Sequence, residues 1–204
     1  MQTGKVGQEI GVTVTDDGIA IGSLVARSAC GDFEAFGELY AMYLDRIYRY
    51  VFYQVKDKMT AEDLTEEIFM KAWRAIGSYK GKERTFSSWL YRIAHNHVID
   101  NLRARRQNPS LDMETATRSS DPAREAERNL AEQEILLLIS CLPPQQKEVI
   151  ILKFIEGLDN RDIEEITGKS QGAIRAIQMR ALATLRQRLT QGAIGKWRLN
   201  YQEP

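Results

Sequence analysis

The residues with the clearest chemical character lie between Tyr79 and Arg106. This stretch holds seven bases and two acids, in a chain whose formal net charge is +0. Arginine, lysine, asparagine and aromatic side chains together suit a nucleic-acid strand with exposed bases, because cations attract phosphates and rings stack on bases. The sequence contains no nucleophile elbow, phosphate-binding loop or metal-spaced His and Cys set. The pattern therefore predicts binding without catalysis, and neither a metal nor a cofactor is expected.

A helix over Thr85–Arg106 is predicted to position these groups. Its apolar residues recur at steps of three and four and form one buried stripe: Leu90, Ile93, Ala94, Val98 and Leu102. Arg92, Asn96 and Arg103 fall together on another side of the helix, with Asp100 at the edge of that strip. A basic, glycine-containing loop precedes the helix.

The amino-acid composition limits the fold classes that the chain can adopt. The chain has 204 residues, of which 43% are hydrophobic and 27% charged, with little glycine or proline and few β-branched runs. We predict an all-α protein of two small helical domains joined by a flexible linker. The boundaries are a mobile N-terminal tail over 1–15, a first domain over 16–106, a linker over 107–122, a second domain over 123–190, and a C-terminal tail of unknown role over 191–204.

No apolar run is long enough for a membrane span, and the N-terminus lacks the features of a signal peptide. No membrane insertion is expected, and the cytoplasm is the predicted compartment. Cys30 and Cys141 are far apart and have no CxxC partner, so free thiols are expected. His95 and His97 are two residues apart on a helix and cannot face one metal ion.

A second candidate surface lies on a helix predicted over Ala61–Ile76, with Thr60 and Asp63 as the capping box at its start. Acids cluster at its start, where negative charge suits the helix dipole. Phe69 and Trp73 lie four residues apart, away from the buried row, and aromatic pairs near a helix surface are favoured interface anchors. The residues alone leave a dipole role and a partner-binding face equally open.

The second domain carries a helix-turn-helix pattern. A short helix over Asn160–Thr167 is followed by Gly168, by Ser170 as a cap, and by a long helix from Gln171 to about Leu189. Residues 168–190 hold five bases and no acid. The second helix is thus expected to enter the major groove of duplex DNA.

In combination these motifs resemble bacterial RNA polymerase sigma factors of the extracytoplasmic-function (ECF) group. The resemblance rests on four stretches: Gly31-Asp32-x-x-Ala35-Phe36-x-x-Leu39-Tyr40, Ala61 to Trp73, Phe86 to Arg103, and Leu142-Pro143 to Arg186. It differs in the recognition helix, where Ala176 lacks a hydroxyl that could contact a phosphate, so a different −35 preference is expected.

The resemblance implies a promoter-specificity subunit that reads duplex −35 and melted −10 DNA and has no catalysis of its own. It also implies three partners besides promoter DNA: the clamp of the polymerase's largest subunit, the flap of its second-largest subunit, and an anti-sigma factor. By this likeness the clamp-binding residues are Asp63, Glu66, Glu67, Phe69 and Trp73. The −10 residues are Lys80, Lys82, Arg84, Phe86, Ser87, Trp89, Arg92, Asn96, Asp100 and Arg103. The −35 residues are Ser170, Gln171, Ala173, Arg175, Gln178 and Arg180.

A stand-alone helix-turn-helix regulator is the alternative hypothesis. In that case the first domain serves dimerisation or sensing, and the protein binds a symmetric operator without polymerase.

Overall fold

The computed structural model describes residues 16–79, 85–107 and 135–200, and every regular element in these ranges is helical. The helices are α1 Asp16–Ala29, α2 Phe33–Val55, α3 Lys58–Ile76, α4 Phe86–Gln107, α5 Pro144–Ile150, α6 Asn160–Thr167 and α7 Gln171–Asn200. Residues 135–140 are also helical. The predicted all-α class is confirmed. The predicted tail over 1–15, the predicted linker beyond Gln107, and the candidate residues Lys80, Lys82 and Arg84 lie outside the described residues.

The first four helices pack their apolar faces against one another. Ile47 and Tyr50 of α2, Ile68 of α3 and Leu90 of α4 are almost completely buried. The turn between α1 and α2 is held by Asp32, whose side chain accepts a hydrogen bond from the N–H of Ala35. This packing fixes which face of α4 remains in solvent.

Helix α3 begins at Lys58, and the predicted cap at Thr60 with Asp63 is wrong. The N-cap is Asp57, whose carboxylate accepts the backbone N–H of Thr60 at 2.8 Å. The Thr60 hydroxyl also donates to this carboxylate, and these hydrogen bonds lower the pKa of Asp57. Asp57 caps better than Thr60 because its carboxylate is a charged acceptor at the positive end of the helix.

Helix α4 begins with a reciprocal cap formed by Thr85 and Ser88, which was not predicted from the sequence. The N–H of Ser88 donates to the Thr85 hydroxyl at 3.0 Å, and the N–H of Thr85 donates to the Ser88 hydroxyl at 3.2 Å. This is the arrangement of a capping box with serine in the place of glutamate. It fixes the start of α4 at Phe86.

The second domain contains the predicted helix-turn-helix. Asp159 and Asp162 form a capping box at the start of α6. Gly168 ends that helix at φ 68°, a left-handed conformation that glycine adopts without strain. Helix α7 continues to Asn200, eleven residues past the predicted end near Leu189, so residues 191–200 of the predicted tail are helical.

The two domains pack against each other. Helix α4 lies against α6, and buried apolar residues from both domains belong to one continuous cluster. The chain between α5 and α6 includes a π-helical turn, Ile151–Ile155, in which the N–H of Glu156 donates to the carbonyl of Ile151 at 3.0 Å. Among the described helices, none is long and apolar enough to cross a membrane.

Candidate nucleic-acid and polymerase interfaces

The polar strip predicted on α4 is exposed as one continuous face. Arg92, Asn96, Asp100 and Arg103 all lie in solvent, while Leu90, Ala94 and Val98 on another side are buried. Arg103 Nη1 lies 3.6 Å from Asp100 Oδ1, so these two side chains share one end of the strip. The strip therefore presents two guanidinium groups and one amide to a ligand, a set that can contact phosphates and base edges.

The aromatic residues at the start of α4 occupy the core. Phe86 and Trp89 are 6% and 9% exposed, and their ring centroids lie 5.4 Å apart. Tyr79 packs on Trp89 with ring centroids 5.2 Å apart. The three rings thus form one packed aromatic cluster at the start of α4. Ser87, between them in sequence, is half-buried.

The exposed residues in the first turns of α7 are either basic or have small side chains. Ser170, Ala173, Arg175 and Arg180 are exposed around the first turns of α7. The N–H of Ala173 donates to the Ser170 hydroxyl at 3.4 Å, which caps the helix. Arg175 is the first basic residue of α7, and its side chain is exposed.

The two glutamines of the predicted −35 set hold the helix-turn-helix together. The Gln171 amide donates to Glu164 and the Gln178 amide donates to Asn160, each at 2.9 Å. Both side chains are half-buried. Their side chains therefore fix α7 relative to α6 in addition to any contact with DNA.

An apolar groove lies between α2 and α3, with aromatic residues of both helices in its lining. The groove has a volume of about 440 Å³ and is lined mainly by Phe33, Phe36, Tyr40, Phe69, Met70 and Trp73. Asp63, Glu66 and Glu67 are exposed on α3, and Glu66 lies at the groove itself. Phe69 is almost completely buried beneath Tyr40, with ring centroids 4.7 Å apart, whereas Trp73 is half-buried.

The most exposed aromatic of this groove, Phe33, was not among the residues predicted from the sequence. Phe33 is 71% exposed and packs edge-on against Trp73, with ring centroids 5.2 Å apart. Its position as the first residue after the Asp32 cap was the available signal, because an N-terminal helix residue has few neighbours to cover it. A large apolar ring in solvent beside a groove is typical of a protein-binding surface.

His95 and His97 face different elements, as their spacing predicted. His95 contacts Glu148 of the second domain, and His97 lies 2.6 Å from Glu67 of α3. Across the described ranges, no group of three or more His, Cys, Asp or Glu residues could hold a metal ion.

Comparison with known proteins identifies the family. Residues 39–108 match Sigma-70 region 2, and residues 132–185 match Sigma-70 region 4. The chain is 39% identical over 170 residues to the ECF RNA polymerase sigma factor BldN of Streptomyces coelicolor, which covers 79% of this chain and 63% of that protein. It is 32% identical over 173 residues to the ECF RNA polymerase sigma factor SigW of Bacillus subtilis, which covers 78% of this chain and 91% of SigW.

The chain belongs to the ECF group of RNA polymerase sigma factors. A solved structure with the same fold is that of the sigma factor RpoE from Bartonella quintana, in complex with the anti-sigma factor NepR. It has a TM-score of 0.64 and 24% sequence identity, and it covers 76% of this chain and 96% of that one. Sigma factors direct transcription initiation to promoters. The α4 strip lies within region 2 of this sigma factor, and the helix-turn-helix lies within region 4.

Proposed function

We propose that this sigma factor binds core RNA polymerase, reads duplex −35 DNA with α7, and reads the melted −10 strand with α4. The observation that carries this proposal is the pair of exposed polar faces on the two domains, the Arg92–Arg103 strip and the leading turns of α7. One face offers guanidinium and amide groups to unstacked bases, and the other offers a basic helix end to a major groove. A stand-alone regulator that reads only duplex DNA does not need a face that binds unstacked bases.

The −10 role extends to the residues around the start of α4. A base flipped out of the duplex needs an enclosing pocket to offset the lost stacking energy, a cost of a few kcal/mol. Phe86, Ser87 and Trp89 would support that pocket from beneath, since the two rings are buried and rigidly packed. Lys80, Lys82 and Arg84 would supply cations to the strand.

The groove between α2 and α3 is assigned to the polymerase clamp. Its floor and sides are aromatic, and the exposed acids Asp63, Glu66 and Glu67 can pair with cations on the clamp. Phe33 and Trp73 would be the anchors that enter the interface. Region 4 would contact the flap of the second-largest subunit.

Further attributes follow from this role. The protein would act in the cytoplasm, where polymerase and chromosome are found, as a binding subunit without catalysis of its own. An anti-sigma factor is a proposed partner, supported by the complex formed by the structurally similar RpoE of Bartonella quintana.

DNA binding with and without polymerase tests the proposal. We expect the protein alone to bind a promoter duplex weakly, and the complex with core polymerase to bind it tightly and to open it around −10. Tight and symmetric operator binding by the protein alone, unchanged by polymerase, would favour the stand-alone regulator and overturn the proposal.

A further inference from the structure

The groove between α2 and α3 has two walls with the same residue spacing. The lining residues are Phe33, Phe36, Gly37 and Tyr40 of α2 and Glu66, Phe69, Met70 and Trp73 of α3. Each set occupies positions i, i+3, i+4 and i+7 of its helix, which places it on a single face. The groove is therefore formed by one face from each helix.

Two aromatic pairs join the walls of the groove. Trp73 packs on Phe36 with ring centroids 5.0 Å apart, and Phe69 packs on Tyr40 with ring centroids 4.7 Å apart. Phe36 and Phe69 are both buried, so these pairs belong to the core of the domain. The spacing of the two helices at the groove is thus fixed by core packing, before any partner binds.

Gly37 leaves the groove open along α2. The residue is exposed, and it has an α-helical backbone that does not require glycine. Apart from the backbone of α2 and the two adjacent residues, no atom of the described residues lies within 4 Å of where a Cβ atom would stand. Alanine is more favourable than glycine within a helix. Neither the backbone nor the packing of the free protein therefore accounts for glycine at this position.

The two walls carry negative charge. Residues 33–45 of α2 and residues 61–70 of α3 together contain seven acids and no base. Glu34 and Glu38 are exposed on α2, and Glu66 is exposed at the groove itself. A second copy of this chain would bring the same acids to the interface, and like charges oppose such a pairing. The charge favours a partner with basic residues around its apolar anchors.

The shape of the groove suits a third helix. Two parallel rows of residues at helical spacing accept the apolar stripe of an amphipathic helix, which is a common mode of protein recognition. Packed helices lie with their axes about 8–10 Å apart, depending on the side chains at the contact. Glycine has no side chain to hold a neighbour away, so it permits a close approach of two backbones. A helix bound in this groove could therefore lie close to α2 at Gly37.

We propose that Gly37 is the specificity-determining position of this groove, where an apolar side chain from a basic helix of the polymerase clamp approaches the backbone of α2. This inference rests on the proposed function, because that function assigns the groove to the clamp. The acids attract the basic helix, and the aromatic rings contact its apolar anchor. A side chain at position 37 would occupy the space that this anchor requires.

Replacing Gly37 by alanine and by leucine tests the proposal in the full-length chain. We expect Gly37→Ala to raise the melting temperature by about 2–4 °C, because alanine favours the helix. Affinity for core polymerase should fall by about 5-fold in Gly37→Ala and about 100-fold in Gly37→Leu, because added carbons overpack a close contact. Weaker binding in a more stable protein cannot result from damage to the fold.

Gly22 provides the matched control. It is an exposed glycine within α1, a Cβ atom there would also meet open space, and it does not line the groove. Gly22→Ala should raise the melting temperature as Gly37→Ala does, and neither Gly22→Ala nor Gly22→Leu should change the affinity for core polymerase. An equal loss of affinity in the Gly22 variants would overturn the proposal.

Photo-cross-linking identifies what enters the groove. Met70 lines the groove and is 52% exposed, so a benzophenone side chain in its place can react with a bound partner. With core polymerase, the expected product joins position 70 to a basic helical segment of the clamp, and Gly37→Leu should abolish it. A product with another polymerase subunit, or with a second copy of this chain, would overturn the assigned occupant.

The same measurements separate this inference from the function on which it rests. Native affinity in Gly37→Leu, in a protein that still directs transcription, would overturn the role of Gly37 and leave the proposed function intact. A native protein that does not bind core polymerase would overturn the proposed function itself, and the assignment of Gly37 would fail with it.

Discussion

Replacing Phe33 by alanine tests the polymerase-binding groove with little risk to the fold. Phe33 is 71% exposed in the free protein, so its truncation removes few internal contacts. Phe69 and Trp73 were the aromatics predicted from the sequence, but Phe69 is 5% exposed. Truncating a buried phenylalanine costs about 3–5 kcal/mol of stability, so Phe69→Ala would confuse unfolding with lost binding.

The expected loss follows from the exposed area. A phenylalanine side chain presents about 200 Å², of which 71% exposure leaves about 140 Å² to be covered by a partner. At about 25 cal/mol per Å², full coverage contributes about 3.5 kcal/mol, and half coverage about 1.7 kcal/mol. With 1.4 kcal/mol per tenfold change, Phe33→Ala should weaken core polymerase binding by about 20-fold.

Competition for core polymerase against a labelled native sigma factor measures this change. Met42→Ala is the control, because Met42 is a 48% exposed apolar residue on the same helix but does not line the groove. Thermal unfolding of both variants should match the native protein within a few degrees. Native affinity in a stable Phe33→Ala protein, or an equal loss in Met42→Ala, would refute the assignment of the groove to the clamp.

Three further predictions concern other surfaces. Arg175→Ala should weaken use of −35-dependent promoters by about 10- to 100-fold, with core binding intact; an equal loss of core binding would contradict the −35 assignment. Asn96→Ala should weaken binding of a single-stranded −10 oligonucleotide by the polymerase complex about 10-fold without lowering the melting temperature, because the side chain is exposed; unchanged oligonucleotide binding would remove Asn96 from the reading face. Asp57→Ala should cost about 1 kcal/mol, measured by urea unfolding. Because the pKa of Asp57 is lowered in the folded state, its charge-dependent contribution is fully present above the ordinary carboxyl value and is lost as the pH falls through the folded value. If the native protein exceeded Asp57→Ala in stability by more in acid than at neutral pH, Asp57 would not be stabilising α3 as an ionised cap.

The features that could be predicted from the sequence depend on residues close together in the chain. The exposed α4 strip, the capped α6 and the left-handed Gly168 each depend on residues within a few positions of one another, so their signals are contained in short stretches of sequence. The predicted cap of α3 was wrong because two possible acceptors, Asp57 and Thr60, lie three residues apart. The charged Asp57 is the one that caps the helix.

The contacts between domains left no comparable signal. Arg49 donates two hydrogen bonds to Glu156 across a separation of 107 positions, and neither residue belongs to a periodic pattern that specifies the other. The π-turn also shifts the register of the helix that carries the buried acids Glu148 and Glu156, so a regular period misplaces one relative to the other. Phe33 was overlooked because groove lining depends on how α2 and α3 pack, which a single helix does not reveal.

Transcription in vitro with purified core RNA polymerase tests the central claim most directly. The template is a pool of genomic promoter fragments, and the reaction is run with and without this sigma factor. Transcripts that appear only when both proteins are present, and whose aligned start sites share elements near −10 and −35, are the predicted result. No transcript, together with tight duplex binding by the protein alone, would contradict the account.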